Sequence, residues 1–478
     1  MAVPAPSPSP RVGRLDEPAG GRPRTGAGIW GDEGPVVEAV LAWAGRRVVR
    51  STDPHTTARP ARELAEATGP TIVPGGIGAE RALALFDEVL VPATRAQDDP
   101  LNLSYIPSAP TRAAVAFEVA TSAANIFAGL WESGAGAIHA ENQVLAWIAG
   151  LLGWPATAGG CFVSGGTSGN LSALVAARHT AQARRLEAGL AAVPTGGWAV
   201  ACSPDAHSSV RSAARVMGVE VLEVPGDDRG RLTGAALGPA LDAAGDRVVA
   251  VVASAGTTNA GIVDDLAGVA DVCSARGVWL HVDGAYGGAA LVAPSVRPLF
   301  TGIERADSFI VDPHKWLFAP YDCCALVYRR PELARAAHAQ TAGYLDEVDR
   351  EEWNPADLAV HLTRRPRGLP LWFSLAVHGT DAYRDAVERS LATARTVAGA
   401  VRERPFLRLV EPPELSVLLF ERTGWGEREY RNWSRAHALA GDFLVLPTRW
   451  QGRCLLRMAF VNPATDPAAV VAALDTLV

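Results

Sequence analysis

The middle of the chain alternates between two local patterns, and that alternation limits the folds open to it. Short apolar, β-branched runs occur at Trp198–Cys202, Val219–Val224, Val248–Ala253, Val278–Val282, Ser308–Val311 and Ala325–Tyr328. Helical patterns separate several of them, as at Leu171–Glu187 and Leu266–Arg276. Runs of this kind fit strands buried on both faces, and strand–helix–strand alternation implies crossovers that build a mostly parallel sheet. In such sheets ligands collect at the carboxyl ends of the strands. The residues just after each run are therefore where chemistry is to be sought.

The flanks read differently. Residues 1–34 are rich in Pro, Ser, Gly and Ala, too poor in large apolar groups to offset the entropy of ordering, and are expected to be a disordered arm. Residues 35–112 read as helices broken by Pro-containing turns, and 113–378 as the large α/β domain, opening on two Ala-rich helices up to Leu152. A long helix over Ala382–Arg402 then leads to strands near Leu407–Val410, Ser416–Phe420 and Leu455–Phe460 and a helix from Pro467. Residues 379–478 thus form a smaller C-terminal α/β domain with an antiparallel sheet.

Composition excludes several classes. A net charge of −7 gives no electrostatic reason to expect nucleic acid or anionic membrane as a partner, and no apolar stretch approaches a membrane span. The six cysteines show no CxxC pair and no metal-like spacing with histidine, so no metal is expected. They read as buried free thiols of a reducing compartment, and no secretory signal is evident at the N-terminus; the expected location is cytoplasmic.

Of 44 basic residues only Lys315 is a lysine. Arginine replaces lysine where charge alone is needed, but a guanidinium stays protonated and makes no imine. Lys315 lies in Asp312-Pro313-His314-Lys315-Trp316, just past a strand end. Asp283 closes the Val278–Val282 run, where a carboxylate either caps the following loop or faces a ligand. An amine and a carboxylate on one rim suit pyridoxal phosphate: the amine holds the aldehyde as an imine, and the carboxylate pairs with the protonated ring nitrogen. The turn Ser164-Gly165-Gly166-Thr167-Ser168-Gly169-Asn170 opens a helix and offers amides and hydroxyls to a phosphate, although such turns also simply cap helices. His207 follows the run ending at Cys202 and either stacks on a cofactor ring or is a hydrogen-bonded structural residue. Thr258, in Gly256-Thr257-Thr258-Asn259, adds a hydroxyl to the same edge, with local turn capping as its alternative.

Four segments carry a resemblance. Gly160-Cys161-Phe162-Val163-Ser164-Gly165-Gly166-Thr167, Asp205-Ala206-His207-Ser208-Ser209, Trp279-Leu280-His281-Val282-Asp283-Gly284-Ala285-Tyr286 and Asp312-Pro313-His314-Lys315-Trp316 occur in that order. The chain resembles the group II pyridoxal-phosphate decarboxylases, the family of aromatic-L-amino-acid and glutamate decarboxylases. The resemblance implies a fold-type I (aspartate-aminotransferase-like) α/β architecture and a homodimer with the active site at the subunit interface, clasped by the N-terminal helices. It further implies that Lys315 holds the cofactor, His207 stacks over the ring, Asp283 pairs with its nitrogen and Ala285 packs beneath. Gly166, Thr167, Asp312 and His314 would lie at the phosphate end, Thr258 beside the cofactor, and Ser108 on the substrate side.

Two departures stand out. Aromatic members usually carry Asn where this chain has Asp312. The segment between Tyr344 and Arg367 lacks the tyrosine that, in many relatives, protonates the carbanion left after carbon dioxide departs. Arg350 falls at that tyrosine's best-matched position; Tyr344, a candidate substitute for it, precedes the loop, and both join Ser108 as candidate substrate residues. Decarboxylation of an L-amino acid or a derived metabolite leads as the expected activity. Oxygen-consuming oxidative deamination to an aldehyde, a C–S lyase and an inactive scaffolding homologue are the alternatives. Arg364, Arg365 and Arg367 read either as a solvated face or as a site for an acidic group.

Overall fold

The computed structural model describes residues 34–50, 57–340 and 351–478. The expected N-terminal arm lies outside them except for Gly34, as do Tyr344 and Arg350. The central sheet contains β1 (Gly159–Val163), β2 (Ala199–Cys202), β3 (Glu220–Glu223), β4 (Val248–Ser254), β5 (Trp279–Asp283), β6 (Ser308–Val311) and β7 (Cys324–Tyr328), in the order β1-β7-β6-β5-β4-β2-β3. β7 runs antiparallel to both of its neighbours, β1 and β6, and the other pairs are parallel. The short connection from Val311 to Cys324 explains the reversal, because a parallel return needs a full crossover unit.

Alternation along the strands feeds two separate cores. Ala199, Ala201, Val251, Ala253, Leu280, Val282, Phe309 and Val311 pack on one face of the sheet. Val200, Cys202, Ala250, Val252, Trp279 and Ile310 pack on the other. Every residue of β4 and β5 is buried, as expected for a sheet covered on both sides. Gly160 lets β1 and β7 approach closely, since a Cβ there would stand 1.8 Å from the Leu326 carbonyl oxygen.

A second sheet comprises β8 (Leu407–Leu409), β9 (Val417–Arg422), β10 (Leu446–Trp450) and β11 (Arg453–Ala459), in the antiparallel order β10-β11-β9-β8. The helix expected from Ala382 is the latter part of a longer element, Leu369–Arg402, interrupted at Gly379, whose φ of 76° takes the chain out of helical geometry. Two fastenings bind the second sheet to the rim of the first. The Tyr286 hydroxyl pairs with the Ser416 hydroxyl at 2.6 Å and accepts from the Ser416 amide. Arg457 donates to the carbonyls of Tyr105, Thr258 and Asn259. Burial pushes the pKa of Arg457 down to about 10, which still leaves it cationic at neutral pH.

Candidate active site

The winding direction of the sheet reverses between β2 and β4, the place where open α/β sheets form a crevice. Asp283 ends β5, His207 lies five residues past β2, the turn at Gly165 follows β1, and Lys315 lies four residues past β6. All four come from carboxyl ends of mutually parallel strands, so one rim carries an amine, a carboxylate, an imidazole and a helix N-terminus.

Lys315 Nζ lies 2.9 Å from Asp312 Oδ2, an i,i+3 pair on the single helical turn Pro313–Trp316. Burial alone would lower the ammonium pKa; the charge and hydrogen bond of Asp312, with Asp283 adding to them, outweigh burial and raise it. Lys315 is therefore an ammonium at neutral pH. His314 Nε2 stands 3.7 Å from the same Asp312 oxygen, and its Nδ1 donates to the Cys323 carbonyl at 2.6 Å. Burial lowers the His314 pKa, with Asp312 opposing.

Gly166 opens the helix Gly166–Glu187. A Cβ on Gly166 would stand 3.2 Å from Asp312 Oδ2 and 3.3 Å from the Ala285 methyl, so the glycine keeps a cradle open at that helix end. Thr167 is exposed beside it, and the Ser164 and Ser168 hydroxyls pair at 3.0 Å. Asp312 Oδ1 is buried and has no hydrogen-bond partner among the described residues. An open cradle at a helix N-terminus and a nearby amine fit a group bearing both an aldehyde and a phosphate.

Asp283 is buried, with both oxygens engaged: Oδ2 accepts from Asn170 Nδ2 at 2.9 Å and Oδ1 from the Ala285 amide at 3.1 Å. The second contact is the loop cap anticipated from sequence; the first is not explained by capping. His207 caps the helix Ser208–Met217, its Nδ1 accepting from the Ser209 amide at 3.2 Å and lying 2.7 Å from the Ser209 hydroxyl. Its ring is otherwise exposed on the rim. Thr258 is exposed, and its carbonyl rather than its hydroxyl is held, by Arg457. Ser108 is buried and donates to the Ala319 carbonyl at 3.2 Å. It lines, with Phe318 and Tyr321, a cleft of about 1010 Å³ that opens next to the rim without reaching Lys315 or Asp283.

The three arginines at 364, 365 and 367 are each paired with a carboxylate of this chain. Arg364 is fully buried against Glu141 at 2.7 Å. Arg365 pairs with Glu118 and Asp322, and Arg367 with Asp322. Sequence reasoning passed over Asn170, His281 and Ser308, which the fold joins to Asp283. The signal was present, since Trp279, His281 and Asp283 alternate along β5 and so share one face of it.

Asp312→Asn should lower the Lys315 pKa, and each unit of decrease raises the free-amine fraction at neutral pH about tenfold. The cofactor-free variant is expected to take up pyridoxal phosphate several-fold faster at pH 7, followed as growth of imine absorbance after mixing. An unchanged rate would separate Asp312 from control of the amine.

Taken together, these features define an α/β protein whose sheet rim brings an amine, a carboxylate, an imidazole and an open helix N-terminus to one edge. The sequence profile described as "Pyridoxal-dependent decarboxylase conserved domain" matches residues 80–422, and the chain belongs to that family. It is 32% identical over 332 residues to an aromatic-L-amino-acid decarboxylase of Bacillus atrophaeus, covering 68% of this chain and 67% of the relative. It is 32% identical over 417 residues to an L-2,4-diaminobutyrate decarboxylase of Rhizobium meliloti (strain 1021), covering 84% and 82%. The fold superposes on the crystal structure of Oryza sativa TDC with PLP and tryptamine at a TM-score of 0.83 and 24% identity, covering 93% of this chain and 95% of that one.

Proposed function

We infer that this protein is a pyridoxal-phosphate-dependent carboxy-lyase that removes carbon dioxide from an L-amino acid and releases the amine. The observation that carries the reading is the position of the only lysine, on the rim that holds Asp283 and His207 and within the segment matched by the decarboxylase family. When bound, pyridoxal phosphate supplies an aldehyde to capture the substrate amine and a ring that accepts electrons as carbon dioxide leaves.

The chain's own residues then have separable tasks. Lys315 holds and releases the cofactor by its amine. Asp283, oriented by two donors, holds positive charge at the ring nitrogen. His207 and Ala285 would contact the ring, His207 with its Nε2 edge left free for the substrate. Gly166, Thr167 and His314 receive the phosphate, with Thr258 at the margin and Ser108 toward the substrate. Asp312 controls the proton on Lys315. Arg364, Arg365 and Arg367 already have carboxylate partners, which argues against a substrate with an acidic side chain held by them.

The active unit is proposed to be a homodimer. The helix Gly34–Val49 buries none of its residues and exposes Val36, Val37, Val40 and Leu41, an apolar face suited to a second copy. No helix among the described residues is long and apolar enough to cross a membrane. All six cysteines are free thiols, which supports a reducing, cytoplasmic setting.

The relatives' decarboxylase names favour amine release over oxidative deamination or C–S cleavage, and the intact rim disfavours an inactive scaffold. Purified holoenzyme given a panel of L-amino acids is expected to release carbon dioxide and amine in equal amounts, at the same rate under air and under argon. Aldehyde, ammonia and peroxide that appear only under air would overturn this reading.

A further inference from the structure

Behind the rim, seven buried or rim-facing polar side chains form an unbroken hydrogen-bonded chain whose direction can be deduced. Trp279 Nε1 donates to Ser308 Oγ at 2.8 Å, and Ser308 Oγ lies 2.8 Å from His281 Nδ1. His281 Nε2 lies 2.8 Å from Asn170 Oδ1. The Asn170 amide nitrogen donates both to Asp283 Oδ2 at 2.9 Å and to Ser209 Oγ at 2.8 Å. Ser209 Oγ then lies 2.7 Å from His207 Nδ1. Asn170, His281 and Ser308 are 1%, 0% and 0% exposed, so bulk solvent does not compete for these bonds.

Each proton in this chain has one consistent place. An indole nitrogen only donates and a carboxylate only accepts, so Ser308 accepts from Trp279 and the Asn170 nitrogen faces Asp283. That orients the Asn170 oxygen toward His281, whose Nε2 must carry the hydrogen. Burial pushes the His281 pKa down to about 4, so His281 is neutral and its Nδ1 accepts from the Ser308 hydroxyl. Ser209 accepts from Asn170, which leaves its own hydrogen to be given to His207 Nδ1. That nitrogen also accepts from the Ser209 amide at 3.2 Å, and two donors aimed at one ring nitrogen leave no room for a proton on it.

The geometry points to Asn170 and Ser209 as positioning residues that fix His207 in the tautomer with its proton on Nε2 while orienting the Asp283 carboxylate. One amide thus couples the group under the ring nitrogen to the proton placed toward the substrate. This rests on the reading of Lys315, Asp283 and His207 as the cofactor rim. It assigns a ready proton to a chain that lacks a tyrosine among residues 345–366.

The test uses the full-length holoenzyme labelled with ¹⁵N-histidine, the His207 signals being identified by their loss in His207→Gln. The expected spectrum shows a lone-pair Nδ1 and a protonated Nε2 for His207. Ser209→Ala removes the bridging hydroxyl and leaves the Asn170–Asp283 contact in place. It is expected to weaken the tautomer preference, the Ser209 amide alone remaining at Nδ1, and to lower kcat by roughly 10-fold or more, part of the ~10²–10⁴-fold that a positioned acid–base group contributes. Ser209→Thr, which keeps the hydroxyl, should restore both. Asn170→Asp, which still accepts from His281 but no longer donates, should reproduce the spectral change. Imine absorbance read on the same samples reports the cofactor site independently. A wild-type His207 protonated on Nδ1, or a Ser209→Ala protein with unchanged tautomer and kcat, would overturn the proposal while the imine band leaves the cofactor reading intact.

Discussion

Lys315→Arg is expected to abolish turnover to the limit of detection and to remove the imine absorbance band altogether. No other side chain can substitute, because the remaining 43 basic residues are arginine and a guanidinium forms no imine. The substitution is informative because it keeps what a purely structural role would need. Lys315 sits 2.9 Å from Asp312 and its side chain is 24% exposed, so an arginine retains the ion pair and has room for its longer head. The variant should therefore fold with little change in Tm, and circular dichroism beside the absorbance spectrum would show that chemistry alone was lost. Retained turnover would move the covalent chemistry away from residue 315.

Asp283→Ala should lower kcat by about 10²–10⁴-fold and weaken cofactor retention. Removing one partner of a buried ion pair costs about 3–5 kcal/mol, and each 1.36 kcal/mol at the transition state is a tenfold change in rate. The loop-cap contact to the Ala285 amide does not account for a loss of that size, since surrendering a cap costs about 1 kcal/mol. Asp283→Asn separates charge from shape: it can preserve the hydrogen bond to Ala285 and still remove the negative charge. A large deficit in both variants supports charge at the ring nitrogen. Near-normal turnover in either would reduce Asp283 to a turn residue.

Most of the central sheet was legible because its strands are apolar, short and bounded by helices. β6 coincides with its anticipated range, and β5 and β7 differ by a residue at the ends. What escaped notice was polar. The helix Glu427–Ala440 is mostly polar and buries only Tyr430, Trp433 and Ser434, so its apolar stripe is too thin to announce itself. β10 contains Pro447, a residue that argues against a strand except at an edge, and β10 is an edge strand.

The site divides in the same way. Lys315, Asp283 and the Gly166 turn stood out because each departs from what a strand end needs. The supporting chain through Asn170, His281 and Ser308 did not, because its members come from a helix and two strands more than a hundred residues apart in part. Only the register that sets His281 opposite Ser308, and the helix that brings Asn170 over β5, makes them neighbours. The exchange of Asn for Asp312 was visible in sequence. Its consequence, an ammonium held by a carboxylate at the proposed place of cofactor attachment, required the i,i+3 geometry of the short turn.

The central claim, that this chain carries pyridoxal phosphate on its only lysine, is tested most directly by borohydride reduction of the holoenzyme followed by peptide mapping. Reduction fixes the imine as a stable secondary amine at whichever nitrogen formed it. The predicted result is one pyridoxyl-labelled peptide, containing Lys315. Label confined to the N-terminal amine, or no label in a preparation that binds the cofactor, would contradict it.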